Sequence, residues 1–436
     1  MHRSGSLSSL CSADEGTSAL FQSFCVAGHD LASSRVLLSK LAAHGLLRDD
    51  QRLEQAVGLL ETKDEIAFAE FRSLVGDNQL IERALGATCS LAIPDFAAFC
   101  KDVEAMRDAT EPNTAGAPAS YIPQLARVDP DQYGVAVCSV DGQRYSCGDS
   151  RVPFCVQSTT KPLAYAMALE QHGEEKVHEH VGREPSGRNF NERVLNPEHR
   201  PHNPMINAGA IMTSSLVRPD LCLADRWDFV MDTWARLAGG RRPGFANSVY
   251  LSESATADRN WCLAYMMQEA EAFPEGTVLK EVLEFYFMLC SIEVDAEQMS
   301  VIAATLANGG ICPLTGDRVF NARTVRNTLS LMSSCGMYDY SGEFAFQMGF
   351  PCKSGVGGSL VIVIPGVTGI CTWSPSLDAL GNSVRGQDFC RALCRSFAVH
   401  HLEARLLHEC KRSLGRDGHD EDAADDAVAL WYGPLL

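Results

Sequence analysis

Phe154-Cys155-Val156-Gln157-Ser158-Thr159-Thr160-Lys161-Pro162-Leu163 is the stretch around which the rest of the chain is organised. It sets Ser158 three residues ahead of Lys161. On the first turns of a helix, residues three apart share a face, so a hydroxyl and an amine there can exchange a proton. A serine hydroxyl is a poor nucleophile until a neighbouring base removes its proton. A lysine does this once burial lowers its pKa from about 10.4. By itself the tetrapeptide is weak evidence and reads more readily as the start of a surface helix.

A second motif changes that balance. Lys353-Ser354-Gly355 is followed by Ser359-Leu-Val-Ile-Val-Ile364, an apolar run of buried-strand character. Ser-x-x-Lys followed by Lys-[Ser/Thr]-Gly resembles the pairing of serine β-lactamases and penicillin-binding proteins. In those enzymes the second motif lies on a strand across the site from the nucleophile. Strand patterns stand at both ends of the surrounding region. One hairpin runs from Gly134-Val-Ala-Val-Cys-Ser-Val140 through the turn Asp141-Gly142 into Gln143-Arg-Tyr-Ser-Cys147. The other joins 359–364 to 368–373 through Pro365-Gly366. Between and after them, helical patterns cover about 158–171, 207–215, most of 225–308, 321–334 and 385–411. This predicts an α+β fold in which the hairpins meet in one antiparallel sheet, flanked by helices and set beside a helical cluster. It is the layout of the serine β-lactamase/transpeptidase-like fold.

Outside that region the patterns change. Residues 1–17 are Ser-rich and lack an apolar signal region, so a disordered tail is expected. Residues 18–108 read as helices only: a small all-helical, EF-hand-like domain. It carries no Asp-x-[Asp/Asn]-x-[Asp/Asn]-Gly loop, so no calcium site is expected. Residues 109–119 read as a linker and 120–411 as the second domain. The tail 412–436 is acidic, with Asp417, Asp420, Glu421, Asp422, Asp425 and Asp426, before an apolar Val428-Ala-Leu-Trp-Tyr432.

Composition narrows the classes of function. The 436 residues are 46% hydrophobic and carry a net charge of −18 without a basic run. This argues against nucleic acid and anionic membrane as partners. No apolar run reaches the roughly 18 residues of a membrane span. The 17 cysteines are scattered, without a matched metal-ligand pattern. They read as small buried hydrophobes in a reducing compartment, cytoplasm or mitochondrial matrix, rather than in a secreted protein. No metal or organic cofactor is implied.

Several motifs in this order resemble the glutaminase family. They include Tyr121-Ile-Pro-Gln-Leu, Gly182-x-Glu-Pro-Ser-Gly187, His202-Asn-Pro-Met-x-Asn-Ala-Gly-Ala-Ile211, Tyr286-Phe-x-Leu-Cys-Ser-Ile292, Cys335-Gly-Met-Tyr-Asp339 and Lys353-Ser-Gly-Val356. The resemblance spans about 120–400. More loosely, the helical segment resembles the N-terminal region of animal kidney-type and liver-type glutaminases, whose C-terminal ankyrin repeats find no counterpart in this sequence. It implies hydrolysis of L-glutamine to L-glutamate and ammonia through a serine acyl-enzyme. By this resemblance Ser158 is the nucleophile and Lys161 its base. Tyr286 and Tyr338 are the catalytic tyrosines, one relaying a proton to the leaving ammonia. The N–H groups of Ser158 and Val356 form the oxyanion hole. Tyr121, Asn207, Glu253 and Asn260 contact the substrate together with Ser158, Tyr286, Tyr338 and Val356.

The physical chemistry of glutamine agrees. Its ammonium needs a buried carboxylate such as Glu253. Its carboxylate needs donors such as Asn207, Asn260 and tyrosine hydroxyls. The resemblance also implies a homo-oligomer, a dimer or tetramer. In the loop Arg188-Asn-Phe-Asn-Glu-Arg-Val-Leu195, Glu192 stands where the animal enzymes carry a lysine, so weak or absent activation by phosphate is expected. Two other classes fit parts of the pattern: a lactam or peptide hydrolase, and a catalytically silent scaffold acting through the helical domain and acidic tail.

Overall fold

The computed structural model describes residues 8–25, 30–86, 90–187 and 195–403. Residues 1–7 of the expected tail, most of the Arg188–Leu195 loop with Glu192, residues 404–411 and the acidic tail lie outside the described residues.

The two hairpins join in one five-stranded antiparallel sheet. From edge to edge its strands are Arg144–Gly148, Gly134–Ser139, Thr368–Trp373, Ser359–Ile364 and Cys352–Ser354. Trp373 stands opposite Gly134 and Thr368 opposite Ser139, so the first and last hairpins meet at the sheet's centre. Side chains alternate between faces. Val135, Val137, Leu360, Ile362 and Ile370 enter one hydrophobic cluster, and Ala136, Val361, Val363, Cys371 and Trp373 another. Both faces are covered, which is why these strands read as unbroken apolar runs.

The first face is covered by the helices Phe96–Thr110 and Val384–Ser396, through Phe96, Phe99, Val103, Phe389 and Leu393. The other face is covered by the helix Ala296–Ala307. Its approach is close. A Cβ on Gly369 would lie 2.1 Å from the backbone nitrogen of Ala304. Beyond that helix, Lys161–His178, Asn207–Leu216, Leu279–Cys290 and Ala322–Cys335 form the helical cluster.

Four details differ from the sequence reading. The region expected to hold helices only also contains a strand pair, Leu31–Ser33 with Glu65–Ala67. Each strand is three residues long and abuts a helix, too short to show a period of two. A helix, Ser8–Phe24, begins inside the segment expected to be disordered. The helix Phe96–Thr110 packs on the sheet, whereas the cluster of the helical unit runs from Phe21 to Leu91. The packing therefore changes partner near residue 91 rather than at 108. Val384–Ser396 is shorter than expected, because Phe397 turns to extended backbone at φ −132°, ψ 149°.

The helical unit and the sheet are joined through the hairpin turn Asp141-Gly142. Arg83 pairs with the Asp141 carboxylate at 2.8 Å, and Arg52 donates to the Asp141 carbonyl at 2.8 Å. Gln143 donates to the carbonyls of His44 and Ile93 at 3.1 and 3.0 Å. The expected linker is fastened too. Ala117 and Leu377 exchange backbone bonds of 3.1 and 2.9 Å, and Arg385 donates to the carbonyls of Glu111 and Asn113. This anchoring carries Tyr121 over the face where the two motifs meet.

Candidate active site

The short strand Phe154–Cys155 leads into a turn of 3-10 helix, Gln157–Thr160, and only then into the α-helix that begins at Lys161. Ser158 thus sits on a tight turn rather than on the first α-helical turns. Gln157 bears the strain of that turn with a φ of +47°, a conformation that costs a non-glycine residue of order 1 kcal/mol or more. Two bonds hold it: its amide nitrogen lies 3.2 Å from Glu253 Oε2 and 3.3 Å from the Cys290 carbonyl oxygen.

Lys161 is fully buried and donates to Asn207 Oδ1 at 2.7 Å. Asn207 in turn donates to Asn260 Oδ1 at 3.4 Å. Burial pulls the Lys161 amine down to about 8, against the smaller opposing pull of Cys290 and Glu253. Tyr338 lies close enough to Ser158 for that hydroxyl to bear on its phenol, and its own hydroxyl donates to the Ser354 carbonyl at 3.1 Å. Burial raises this phenol, while the bonds to Ser158 and Ser354 work the other way. Tyr338 also has a positive φ, +54°.

The second motif arrives on the edge strand Cys352–Ser354. Lys353 is buried, with Nζ donating to the carbonyls of Gly336 and Ser354 at 3.1 and 2.7 Å and lying 4.6 Å from the Tyr338 ring centre. Burial first, then Lys161, holds this amine well below the usual lysine range. The turn that follows presses on the strand before Ser158. A Cβ on Gly355 would lie 2.7 Å from the Val156 carbonyl oxygen, and one on Gly357 would lie 2.3 Å from that of Cys155. Only glycine allows this approach, and it brings Val356 beside the Ser158 turn. Val356 shares an apolar cluster with Tyr338 and Leu377.

Glu253 projects from the helix Asn247–Ala255 and is buried. Burial pushes its carboxyl up to about 7, opposed by the Gln157 bond, Lys161 and the Cys290 bond. Tyr286, on the helix Leu279–Cys290, is buried, and burial first, then Cys290 and Glu253, raise its phenol. Tyr121 is 61% exposed as a residue, and burial first, then Glu253 and Tyr338, raise its phenol. All the side chains singled out in the sequence are therefore tied into one site. Gln157 and Cys290 were not singled out. Their signals were available: Gln157 adjoins Ser158, and Cys290 lies one helical turn beyond Tyr286. Among the described residues, no group of three His, Cys, Asp or Glu is placed to hold a metal ion.

The sequence matches the family described as Glutaminase over residues 116–402. The chain belongs to the glutaminase family. It is 45% identical over 384 residues to the mitochondrial liver isoform of glutaminase from Mus musculus, an alignment covering 86% of this chain and 63% of that protein. The chain thus spans less than two thirds of that relative's length. The alignment also extends beyond the family match into the helical region. A glutaminase of Trichormus variabilis is 40% identical over 302 residues, 69% of this chain and 89% of that protein. The crystal structure of Mglu in its glutamate form superposes with a TM-score of 0.63 at 36% identity, covering 67% of each chain. The fold of this glutaminase-family chain is accordingly the serine β-lactamase-like fold of those structures, with an α+β core as expected.

Proposed function

We propose that this protein hydrolyses the side-chain amide of L-glutamine to L-glutamate and ammonia through an acyl-enzyme on Ser158. The observation that carries the proposal is the joining of Ser158, Tyr338 and the buried Lys161 amine in one site with the buried carboxylate of Glu253. A lactam carries no ammonium for that carboxylate to hold.

In this mechanism Lys161, neutral in its buried setting, takes the Ser158 proton as Oγ attacks the amide carbon. The backbone N–H groups of Ser158 and Val356 stabilise the oxyanion of the tetrahedral intermediate. The intermediate collapses, the C–N bond breaks, and a proton passes to the nitrogen, which leaves as ammonia. Tyr338 rather than Tyr286 is taken as the relay, because Tyr338 is the tyrosine whose phenol feels the Ser158 hydroxyl. Water then attacks the ester and Ser158 recovers its proton. Glu253 holds the substrate ammonium, supported by Gln157. Asn207, Asn260 and the hydroxyls of Tyr121 and Tyr286 hold the carboxylate and orient the amide.

The assembly belonging to this reading is a dimer or tetramer through the catalytic region, with weak or absent activation by phosphate. Its location is the mitochondrial matrix or cytoplasm, in keeping with the mitochondrial name of the mouse relative. Light scattering and activity titrated against phosphate test the first two; imaging of a tagged full chain tests the third.

The deciding experiment is ammonia release from L-glutamine, with L-asparagine as control and Ser158→Ala beside the wild type. Release from glutamine alone, lost in the variant by at least about 10⁴-fold, supports the reading. Unchanged release in the variant removes Ser158 as nucleophile, and no release from the wild type ends the proposal.

A further inference from the structure

The segment that carries Tyr121 leaves the helix Phe96–Thr110 and returns to the strand Gly134–Ser139. Both of its ends are fastened to one side chain. Arg385 Nε donates to the carbonyls of Glu111 and Asn113 at 2.9 and 3.0 Å. Its Nη1 donates to the carbonyls of Pro130 and Asp131 at 3.2 and 3.0 Å, and to Ser374 Oγ at 3.4 Å. Residues 114–129 are thereby closed into a loop whose ends meet at a single guanidinium. Asn113 adds a second tie to the same helix, donating to Asp388 Oδ2 at 2.6 Å.

Local energetics do not favour an arginine here. Arg385 is 3% exposed and stands in the first turn of the helix Val384–Ser396. A positive charge at a helix N-terminus opposes the helix dipole. A buried charge is costly unless it is hydrogen-bonded. These bonds go to carbonyl and hydroxyl oxygens, none of them to a carboxylate. The planar fork of a guanidinium donates in several fixed directions at once. It is suited to joining two stretches of backbone that are distant in sequence.

The far side of the loop lies on the candidate site. Ile122 packs with Cys155, on the strand before Ser158, and with Val249, on the helix that carries Glu253. Ala119 and Leu125 pack against the cluster of Tyr338, Val356 and Leu377. Tyr121 thus stands between side chains seated on the site, on a loop whose base Arg385 closes.

We propose that Arg385 is a positioning residue: by closing the base of the loop 114–129 it sets where Tyr121 stands against the substrate. The inference rests on the glutamine reading above in naming that substrate. Arg385 bonds no member of the proposed catalytic set, so its loss acts on binding more than on turnover.

The test compares wild type, Arg385→Met, Arg385→Gln, Tyr121→Ala and the double variant of Arg385→Met with Tyr121→Ala. The readouts are steady-state kinetics, calorimetric binding of L-glutamate and amide hydrogen exchange. Arg385→Met is expected to raise KM and the glutamate Kd by about tenfold, the size of one net hydrogen bond from the Tyr121 hydroxyl, with kcat changed by less than about threefold. Exchange should quicken across residues 114–129 while the sheet amides keep their protection. The double variant should bind no more weakly than Tyr121→Ala, because the clamp then has no tyrosine to place. A double variant weakened by the product of the two single effects overturns the proposal, since that marks a structural role independent of Tyr121. So does Arg385→Met with an unchanged Kd or unchanged exchange in the loop. Should the methionine variant fail to fold, Arg385→Gln, whose amide reaches one end of the loop but not both, carries the test by the same Kd and exchange, and wild-type values in either overturn the proposal. If the wild type neither releases ammonia nor binds glutamate, the glutamine reading fails, and exchange in the loop decides whether Arg385 holds it.

Discussion

Three buried ionisable groups, Glu253, Lys161 and Lys353, stand within one small site, and burial moves each toward its neutral form. For two of them a pH dependence follows with a definite sign. In the proposed mechanism Glu253 must be ionised to hold the substrate ammonium, which requires pH above about 7. In the same mechanism Lys161 must be neutral to accept the Ser158 proton, which requires pH above about 8. Both requirements act in one direction, so kcat/KM is expected to rise across that window. A profile measured between about pH 5.5 and 9.5 checks this, and a flat or falling profile contradicts it. The same residues cost stability. The folded pKa of Glu253 lies above its unfolded value of 4.5, so its burial penalty is full above about 7 and vanishes as pH falls toward 4.5. Glu253→Gln is therefore expected to raise KM by at least about 10²-fold while raising Tm at pH 8. The Tm gain should shrink on acidification. Calorimetry on both proteins at several pH values measures it, and a variant less stable at every pH would argue against a burial penalty.

At the scale of elements, the geometry of the site depends on backbone approaches that only glycine permits. Gly355 sits between Lys353 and Val356, with no room for a Cβ beside the Val156 carbonyl. Gly355→Ala is expected to push the Val356 turn away from the strand before Ser158. A displacement near 1 Å costs roughly 10²-fold in kcat when the displaced group stabilises the transition state. Folding should survive, because the contact lies at the end of the edge strand and not in the central sheet. Kinetics with a parallel Tm measurement separate the two effects. A variant with normal kcat would show that Val356 need not sit against the turn. Gly369 is the opposite case, pressed under the Ala296–Ala307 helix at the centre of the sheet, where a methyl would disturb the core itself.

At the scale of the molecule, the helical unit is held to the sheet at one hairpin, through its turn and through Arg144 at the start of the return strand, which bonds Asp49 and the Gly45 carbonyl. Asp141 is buried there, and its carboxylate meets Arg83 and the backbone nitrogen of Ala92. Asp141→Ala leaves these donors without their acceptor and is expected to cost about 2 kcal/mol at this interface. Hydrogen exchange should then quicken across residues 34–85 while the sheet amides keep their protection. The catalytic constants should change by less than about twofold, since the turn lies away from Ser158. Exchange that quickens everywhere alike would mean that unit and sheet unfold as one.

How much of this was legible beforehand differs by feature. The motifs at Ser158 and Lys353, the two hairpins and the α+β class could be read from the chain, because each leaves a local mark: a spacing, a turn, an unbroken apolar run. The candidate site residues were proposed through their resemblance to a family rather than through their own patterns. Tyr286, Glu253 and Asn207 carry no local signal that separates them from core or surface residues. Other features belonged to the tertiary structure alone. The amphipathic pattern of Phe96–Thr110 shows that one face is buried, not that its partner is a sheet whose first strand begins at Gly134. The strained φ of Gln157 and its bonds to Glu253 and the Cys290 carbonyl likewise arise only when separate helices close on one another. Local sequence specifies which face of an element seeks burial. What meets that face, and how far its charges are removed from water, is decided by packing.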